Sequence, residues 1–140
     1  MFLLDTMVLS ELRKRQRDPN LVAWLGAVPE SSLHLSVVTI GEIEKGIARV
    51  AGRDATFARH LEAWLDAVLR GFADRILGID VKIARRWGRL AAAHGHAGAD
   101  LLIAATALEH GLTVATRNLR HFAGTGILVV DPFTPAMEER

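Results

Sequence analysis

The chain has 140 residues, half of them hydrophobic and 24% charged, with a net charge of +1. That length points to one domain with a real core, hiding roughly 70% of the surface an unfolded chain exposes. The absence of cysteine excludes a disulfide framework and a zinc–thiolate site, and it suits a reducing cytoplasm.

Phe2–Leu4 is a short apolar run ending at Asp5, a candidate buried strand, and a helix is predicted near Thr6–Arg15. The opening has no basic region before its acid, so it does not read as a signal peptide. Leu21, Trp24, Leu25 and Val28 recur at helical spacing over Asn20–Val28, with Pro29 as a stop. Leu33–Val37 reads as a second strand. Thr39 then opens a helix to about Ala51, and Thr39-Ile40-Gly41-Glu42 has the pattern of a capping box. Residues 54–72 carry a clear helical stripe, Phe57, Leu61, Trp64, Leu65, Val68, Leu69 and Phe72, whose first expectation is core. Ile76–Ile79 is a third strand, followed by a helix from Val81 to about Ala93. Asp100 opens a helix that runs to His110 and ends at Gly111; Thr113–Ala115 and Ile127–Val130 are the last strands, with a short helical turn between them. The apolar run Leu101 to Leu108 is far shorter than the ~18 residues that span a bilayer, so no membrane association is expected.

Alternation of strands and helices predicts an α/β fold with a mostly parallel sheet of about five strands flanked by helices. Ligands in such folds sit outside the carboxyl ends of the strands. Four polar residues fall at that edge. Asp5 follows the first strand, and Glu42 lies early in the helix after the second. Asp100 begins the Leu101–Leu108 helix, and Asn118 follows the fourth strand in Thr116-Arg117-Asn118. Three converging carboxylates repel one another unless a cation lies between them. Oxygen-only ligands are what Mg²⁺ and Mn²⁺ prefer, and such a cluster supports phosphodiester hydrolysis without a histidine or cysteine nucleophile. The plain alternative is that Asp5, Asp100 and Asn118 cap helices and Glu42 completes the capping box.

The residues around these positions resemble a known family. Leu3-Leu4-Asp5-Thr6-Met7-Val8-Leu9-Ser10-Glu11, Ser36-Val37-Val38-Thr39-Ile40-Gly41-Glu42-Ile43, Asp100-Leu101-Leu102-Ile103-Ala104-Ala105-Thr106-Ala107 and Thr113-Val114-Ala115-Thr116-Arg117-Asn118 are similar to four blocks of PIN-domain toxins of the VapC and FitB type. His121-Phe122 and Val130-Asp131-Pro132-Phe133 fit as well. The resemblance runs from Met1 to about Phe133, which makes residues 1–133 a single PIN domain and 134–140 a C-terminal tail. It implies a Mg²⁺-dependent endoribonuclease, with Mn²⁺ a substitute, acting as the toxin of a type II toxin–antitoxin pair. It also implies a homodimer, inhibition by a cognate antitoxin, and a toxin–antitoxin hetero-oligomer held on operator DNA through the antitoxin. Metal-ligand roles carry over to Asp5, Glu42 and Asp100. The fourth acidic position of some members falls on Asn118, whose amide oxygen can still ligate a metal or orient water. Thr6 and Thr116 would lie beside the site, where their hydroxyls hold a carboxylate or a water.

Fourteen of the 17 basic residues are arginine, the side chain suited to bidentate phosphate contact. Arg117 and Arg120 flank Asn118 and are candidates for RNA contact, with a structural salt bridge as the alternative for Arg117. Arg13-Lys14-Arg15-Gln16-Arg17 suits a helix C-terminus as well as phosphate. Tyrosine is absent and aromatics are 6%, which argues against base-stacking sheets of the RRM or OB kind. A groove between the Leu21/Trp24/Leu25 helix and the 54–72 helix would take an amphipathic antitoxin helix. A phosphatase of the haloacid-dehalogenase type needs a second acid two residues after Asp5, where Met7 stands. The remaining rival is a catalytically weak PIN-like module that binds RNA or a protein partner without turnover, and Asn118 is the residue that sustains it.

Overall fold

The computed structural model describes residues 1–135; residues 136–140, most of the expected tail, lie outside it. The elements are β1 (Phe2–Leu4), α1 (Thr6–Glu11), α2 (Pro19–Ala27), β2 (Leu33–Ser36), α3 (Val37–Ala51), α4 (Ala55–Phe72), β3 (Ile76–Leu77), α5 (Val81–His94), α6 (Ala99–His110), β4 (Thr113–Ala115) and β5 (Val129–Val130). Short 3₁₀ turns occupy Glu30–Ser32, Ala73–Arg75 and Leu119–Phe122. The five strands form one sheet in the order β3-β2-β1-β4-β5, and every pairing is parallel. The expected α/β architecture is therefore present.

β1 sits at the centre and is buried from both sides. Successive side chains of a strand point to opposite faces. Leu3 accordingly joins a cluster with Ile103, Ala104, Ala107, Val114 and Phe122 on the α6 face. Leu4 joins Val8, Leu9, Leu21, Leu35, Ile43, Ile47 and Leu65 on the other. α6 buries Leu101 and every residue from Ile103 to Ala107. Its small alanines allow close approach to the sheet, and a helix apolar all round belongs inside. Gly111, in the left-handed conformation at φ 65°, ends it and turns the chain into β4.

Several element boundaries differ from the sequence expectation, for local reasons. α1 stops at Glu11 rather than Arg15. The run Arg13–Arg17 offers no apolar face to bury, and Asp18 already caps α2, with its side chain accepting from the Asn20 and Leu21 amides. β2 ends at Ser36 rather than Val37, and α3 starts two residues before Thr39, because the Ser36 hydroxyl caps it through Val38 N at 3.1 Å. Thr39 is thus inside the helix and fully buried, so no capping box forms there. α6 is capped by Gly98, which places Asp100 inside its first turn. β3 and β5 are two residues each, shorter than expected, as edge strands often are.

The 54–72 stripe is only partly core. Ala58 and Leu65 are buried, and Leu61, Trp64, Val68 and Phe72 pack half-buried against the main cluster, while Phe57 and Leu69 are exposed. A groove of about 230 Å³ beside it is walled by Phe57, Leu61 and Trp64 together with Ile43, Ile47 and Val50. Its second wall is α3 with α1, not α2. Leu21, Trp24 and Leu25 are turned inward, Trp24 meeting Phe2 edge-on at 4.9 Å.

Candidate active site

The chain changes direction across the sheet at β1, whose neighbours β2 and β4 come from opposite halves of the sequence. This is the switch point at which α/β folds form a crevice. A cavity of about 610 Å³ opens there. Asp5, Glu42, Asp100 and Asn118 all line it, with Thr6, Ser10, Arg13, Lys14, Arg117, His121 and Phe133 around them. The four residues picked from sequence are therefore brought to one place from four separate elements.

Strand register explains the closest contact. Leu4 is paired with Ala115, so the next residues, Asp5 and Thr116, leave the sheet side by side. Asp5 N donates to Ala115 O at 3.0 Å, and the buried Thr116 hydroxyl donates to Asp5 Oδ2 at 2.8 Å. The other carboxylate oxygen accepts Thr6 N at 2.8 Å, so Asp5 does cap α1. Capping and site membership are not exclusive here: one oxygen serves the helix, while both stay at the cavity wall.

The Thr6 hydroxyl donates to Glu42 Oε1 at 2.7 Å and lies 3.1 Å from the Thr39 hydroxyl. Having one proton, committed to the carboxylate, Thr6 accepts from Thr39. Glu42 is itself exposed and is held over the cavity by this bond rather than by a cap. Asp100 sits in the first turn of a twelve-residue helix, where the macrodipole favours a carboxylate. A Cβ on Gly98 would stand 2.6 Å from Asp100 Oδ1, so the carboxylate lies directly over a glycine. Asn118 precedes the Leu119–Phe122 turn, but its side chain makes no capping bond; its backbone N–H donates to Thr116 Oγ1 at 3.0 Å.

Burial pushes the Asp5 carboxyl above its ordinary range, and the Glu42 charge pushes it further. The Thr116 and Thr6 hydrogen bonds and nearby His121 pull the other way without cancelling the effect. Among the described residues none of Asp5, Glu42 and Asp100 forms an ion pair, and their donors are hard oxygens, the set that Mg²⁺ and Mn²⁺ prefer. Among the described residues, however, no three His, Cys, Asp or Glu side chains already stand in a closed metal-holding arrangement. The acids share a cavity without converging on one point.

Arg117 does not fix a site carboxylate. Its guanidinium pairs with Asp18, Nη2 to Oδ2 at 3.8 Å, and lies over the Phe133 ring at 3.8 Å. Sequence reasoning missed Thr39 as a site support, because a threonine before a glutamate at that spacing also reads as a cap. For the basic run after α1 it left helix end and phosphate contact both open; the structure places Arg13 and Lys14 on the cavity wall with Ser10, Lys14 paired to Glu11 at 2.7 Å. A basic run after a helix carries no signal of which way it faces.

A sequence model of the family described as PIN domain matches residues 2–127. The VapC ribonuclease Y4jK of Sinorhizobium fredii is 38% identical over 97% of this chain and 100% of its own length. The toxin FitB of Neisseria gonorrhoeae is 36% identical over 95% of this chain and 99% of its own. A solved structure of FitAB bound to an IR36 DNA fragment superposes with a TM-score of 0.85 at 32% identity, covering 99% of this chain and all of that one.

Proposed function

Because this chain belongs to the PIN-domain family, among relatives of the VapC and FitB type, we propose that it is a toxin of a toxin–antitoxin pair that hydrolyses RNA phosphodiester bonds with the help of Mg²⁺ or Mn²⁺. The observation that carries this reading is the Asp5 carboxylate. It is half-buried at the switch point of the sheet, held by Thr116 and Thr6, faced by Glu42, and, among the described residues, in no ion pair. Asp5, Glu42 and Asp100 would hold the metal, and the amide oxygen of Asn118 would complete the set or orient water. All of these acids line one cavity, which is the arrangement a shared ion would draw together. A divalent cation bound there supplies a water of lowered pKa and neutralises charge developing on the phosphate. Thr116 and Thr6 each donate a hydrogen bond to one of these carboxylates and keep it aimed at the cavity.

The name of the toxin FitB, and the DNA-bound FitAB assembly, support a protein antitoxin as partner, with operator DNA reached through it. The groove between α1, α3 and α4 suits an amphipathic helix of that partner. It shares Thr6, Ser10, Arg13 and Glu42 with the catalytic cavity, so an occupant of one abuts the other. A homodimer and a cytoplasmic site of action complete the proposal. No helix among the described residues is long and apolar enough to cross a membrane.

A second reading, a binding module without turnover, is favoured by two observations: an amide at position 118, and acids that do not yet converge on one point. One experiment separates the two. The purified chain, freed of bound partner, is incubated with a structured RNA pool in Mg²⁺, in Mn²⁺ and in EDTA, beside Asp100→Asn prepared identically. Cleavage that needs metal and is lost in the variant is expected. Equal cleavage by both preparations would mean a contaminant. No cleavage by folded, metal-loaded protein would refute the nuclease, favour the binding module and make Asn118 the first residue to change.

A further inference from the structure

The stacked pair of Arg117 and Phe133 stands on the rim of the catalytic cavity and has no task in the fold that uses its outer face. Both residues line the cavity. The Phe133 ring packs one way against the main core cluster, and the Arg117 guanidinium covers it at 3.8 Å. The segment carrying Phe133 is anchored independently. Asn20 Nδ2 donates to Phe133 O at 2.9 Å, and Asp131 Oδ1 accepts Phe133 N at 2.9 Å. The ring would therefore be in place without the arginine.

The guanidinium side chain is 51% exposed, and its Asp18 partner at 3.8 Å is beyond hydrogen-bond range. Among the described residues its N–H groups make no hydrogen bond. A guanidinium has five donors in one plane and a flat face above it. Here the plane is stiffened from beneath by an aromatic ring, its side chain is half exposed, and its donors are unspent, all beside the acids that would hold the metal at the reacting phosphate.

We propose that the outer face of Arg117, backed by Phe133, is the seat of an unstacked RNA base next to the scissile phosphate, with the guanidinium edge donating to that nucleotide's phosphate or base edge. The proposal rests on the reading of the cavity as an RNA site. It supplies what the composition seemed to deny, a stacking surface in a chain poor in aromatics, by using an arginine plane as the surface. Single-stranded RNA is commonly recognised by bases stacked on guanidinium planes, and such stacking tolerates any base. The site would accordingly favour unpaired nucleotides without choosing strongly among them.

The test is binding in EDTA, so that no cleavage intervenes. Fluorescence anisotropy of a short labelled single-stranded RNA is measured on the wild-type chain, Arg117→Ala, Arg117→Lys and Phe133→Leu, each first checked for an unchanged unfolding temperature. Arg117→Ala should weaken binding about tenfold, the scale of one lost base stack. Arg117→Lys keeps the charge and loses the plane, so it should fall closer to Ala than to wild type. The same RNA with an abasic nucleotide at the stacked position should bind wild type and Arg117→Ala alike. If Arg117→Ala binds the intact RNA as wild type does, the proposal is wrong. If it loses as much on the abasic RNA, Arg117 is a phosphate contact only and the stacking seat is refuted. Should Arg117→Ala be unstable, the contrast of Arg117→Lys and wild type on the two RNAs decides in the same way. Wild type that binds in EDTA with this pattern but never cleaves in Mn²⁺ would refute the nuclease and leave the base seat supported. Wild type that does not bind RNA at all overturns the seat.

Discussion

Replacing Thr116 by valine isolates the hydroxyl that holds the central carboxylate. The side chain is fully buried, and valine is nearly the same shape, so no cavity opens. Two bonds are lost, Thr116 Oγ1 to Asp5 Oδ2 at 2.8 Å and Asn118 N to Thr116 Oγ1 at 3.0 Å. The first is charge-assisted. Such bonds are worth about 1.5–3 kcal/mol to the ionised group. Removing it raises the Asp5 carboxyl further above its ordinary range, where burial and Glu42 already hold it. A proton then competes better with a cation for Asp5. Mn²⁺ affinity at neutral pH should fall about tenfold, the lower end of the range for groups that orient a metal ligand, and the pH at which binding is half lost should move up. The two lost bonds should together cost about 2–4 kcal/mol, seen as an unfolding temperature lower by roughly 10 °C. Titration calorimetry of Mn²⁺ across pH, with thermal unfolding beside it, reads both effects. A variant with wild-type affinity and an unmoved pH midpoint refutes the argument, and a change in melting alone would make Thr116 a structural residue and nothing more.

Four further substitutions bear on the same centre. Asp5→Asn and Asp100→Asn should each abolish metal-dependent cleavage while shifting stability by no more than about 0.5 kcal/mol, and RNA cleavage gels with melting curves check both. Because the ionised Asp5 is disfavoured by burial, the metal-free wild type loses stability as pH rises through its raised pKa; Asp5→Asn should lack that loss, which urea unfolding across acidic to neutral pH would reveal. Glu42→Gln keeps an oxygen for the Thr6 hydroxyl and has no capping box to lose, so it should fold as wild type and cut RNA poorly; wild-type activity would remove Glu42 from the metal set. Asn118→Asp restores a fourth acid and should tighten Mn²⁺ binding in calorimetry, whereas no change would place residue 118 outside the ligand sphere.

The sequence made the strand–helix alternation legible, and with it the edge where the acids gather, because strand exits can be read from apolar runs that end on polar residues. What it could not carry was the partner of each polar group. Thr39 before Glu42 has the spacing of a capping box, and only the tertiary placement of Ser36 one turn earlier makes Thr39 an interior residue that supports Thr6. Arg75 carries no local signal at all, yet its guanidinium binds the carbonyls of Glu30, Leu33 and Gly71, tying the start of β2 to the end of α4. The basic run after α1 reads as a helix end from charge alone. Its role on the cavity wall follows from the early stop of that helix, which depends on Asp18 and Pro19 opening the next one.

The two threonines do more than fill space, because hydrogen-bond direction at this centre is fixed by proton count. Thr116 accepts from the Asn118 amide and has one proton left, which goes to Asp5; Thr6 has one proton, which goes to Glu42, and so receives from Thr39. Both chains of bonds end on a carboxylate that is asked only to accept. A proton on Asp5 Oδ2 would weaken the bond accepted from Thr116, so the donating hydroxyl works against protonation, while burial and the Glu42 charge work for it and prevail. A divalent cation bound by the proposed acids would offset that charge and leave both hydroxyls free to donate. The same polarity serves the α1 cap, where Asp5 Oδ1 accepts the Thr6 amide, so one carboxylate held ionised by its neighbours would suit both roles.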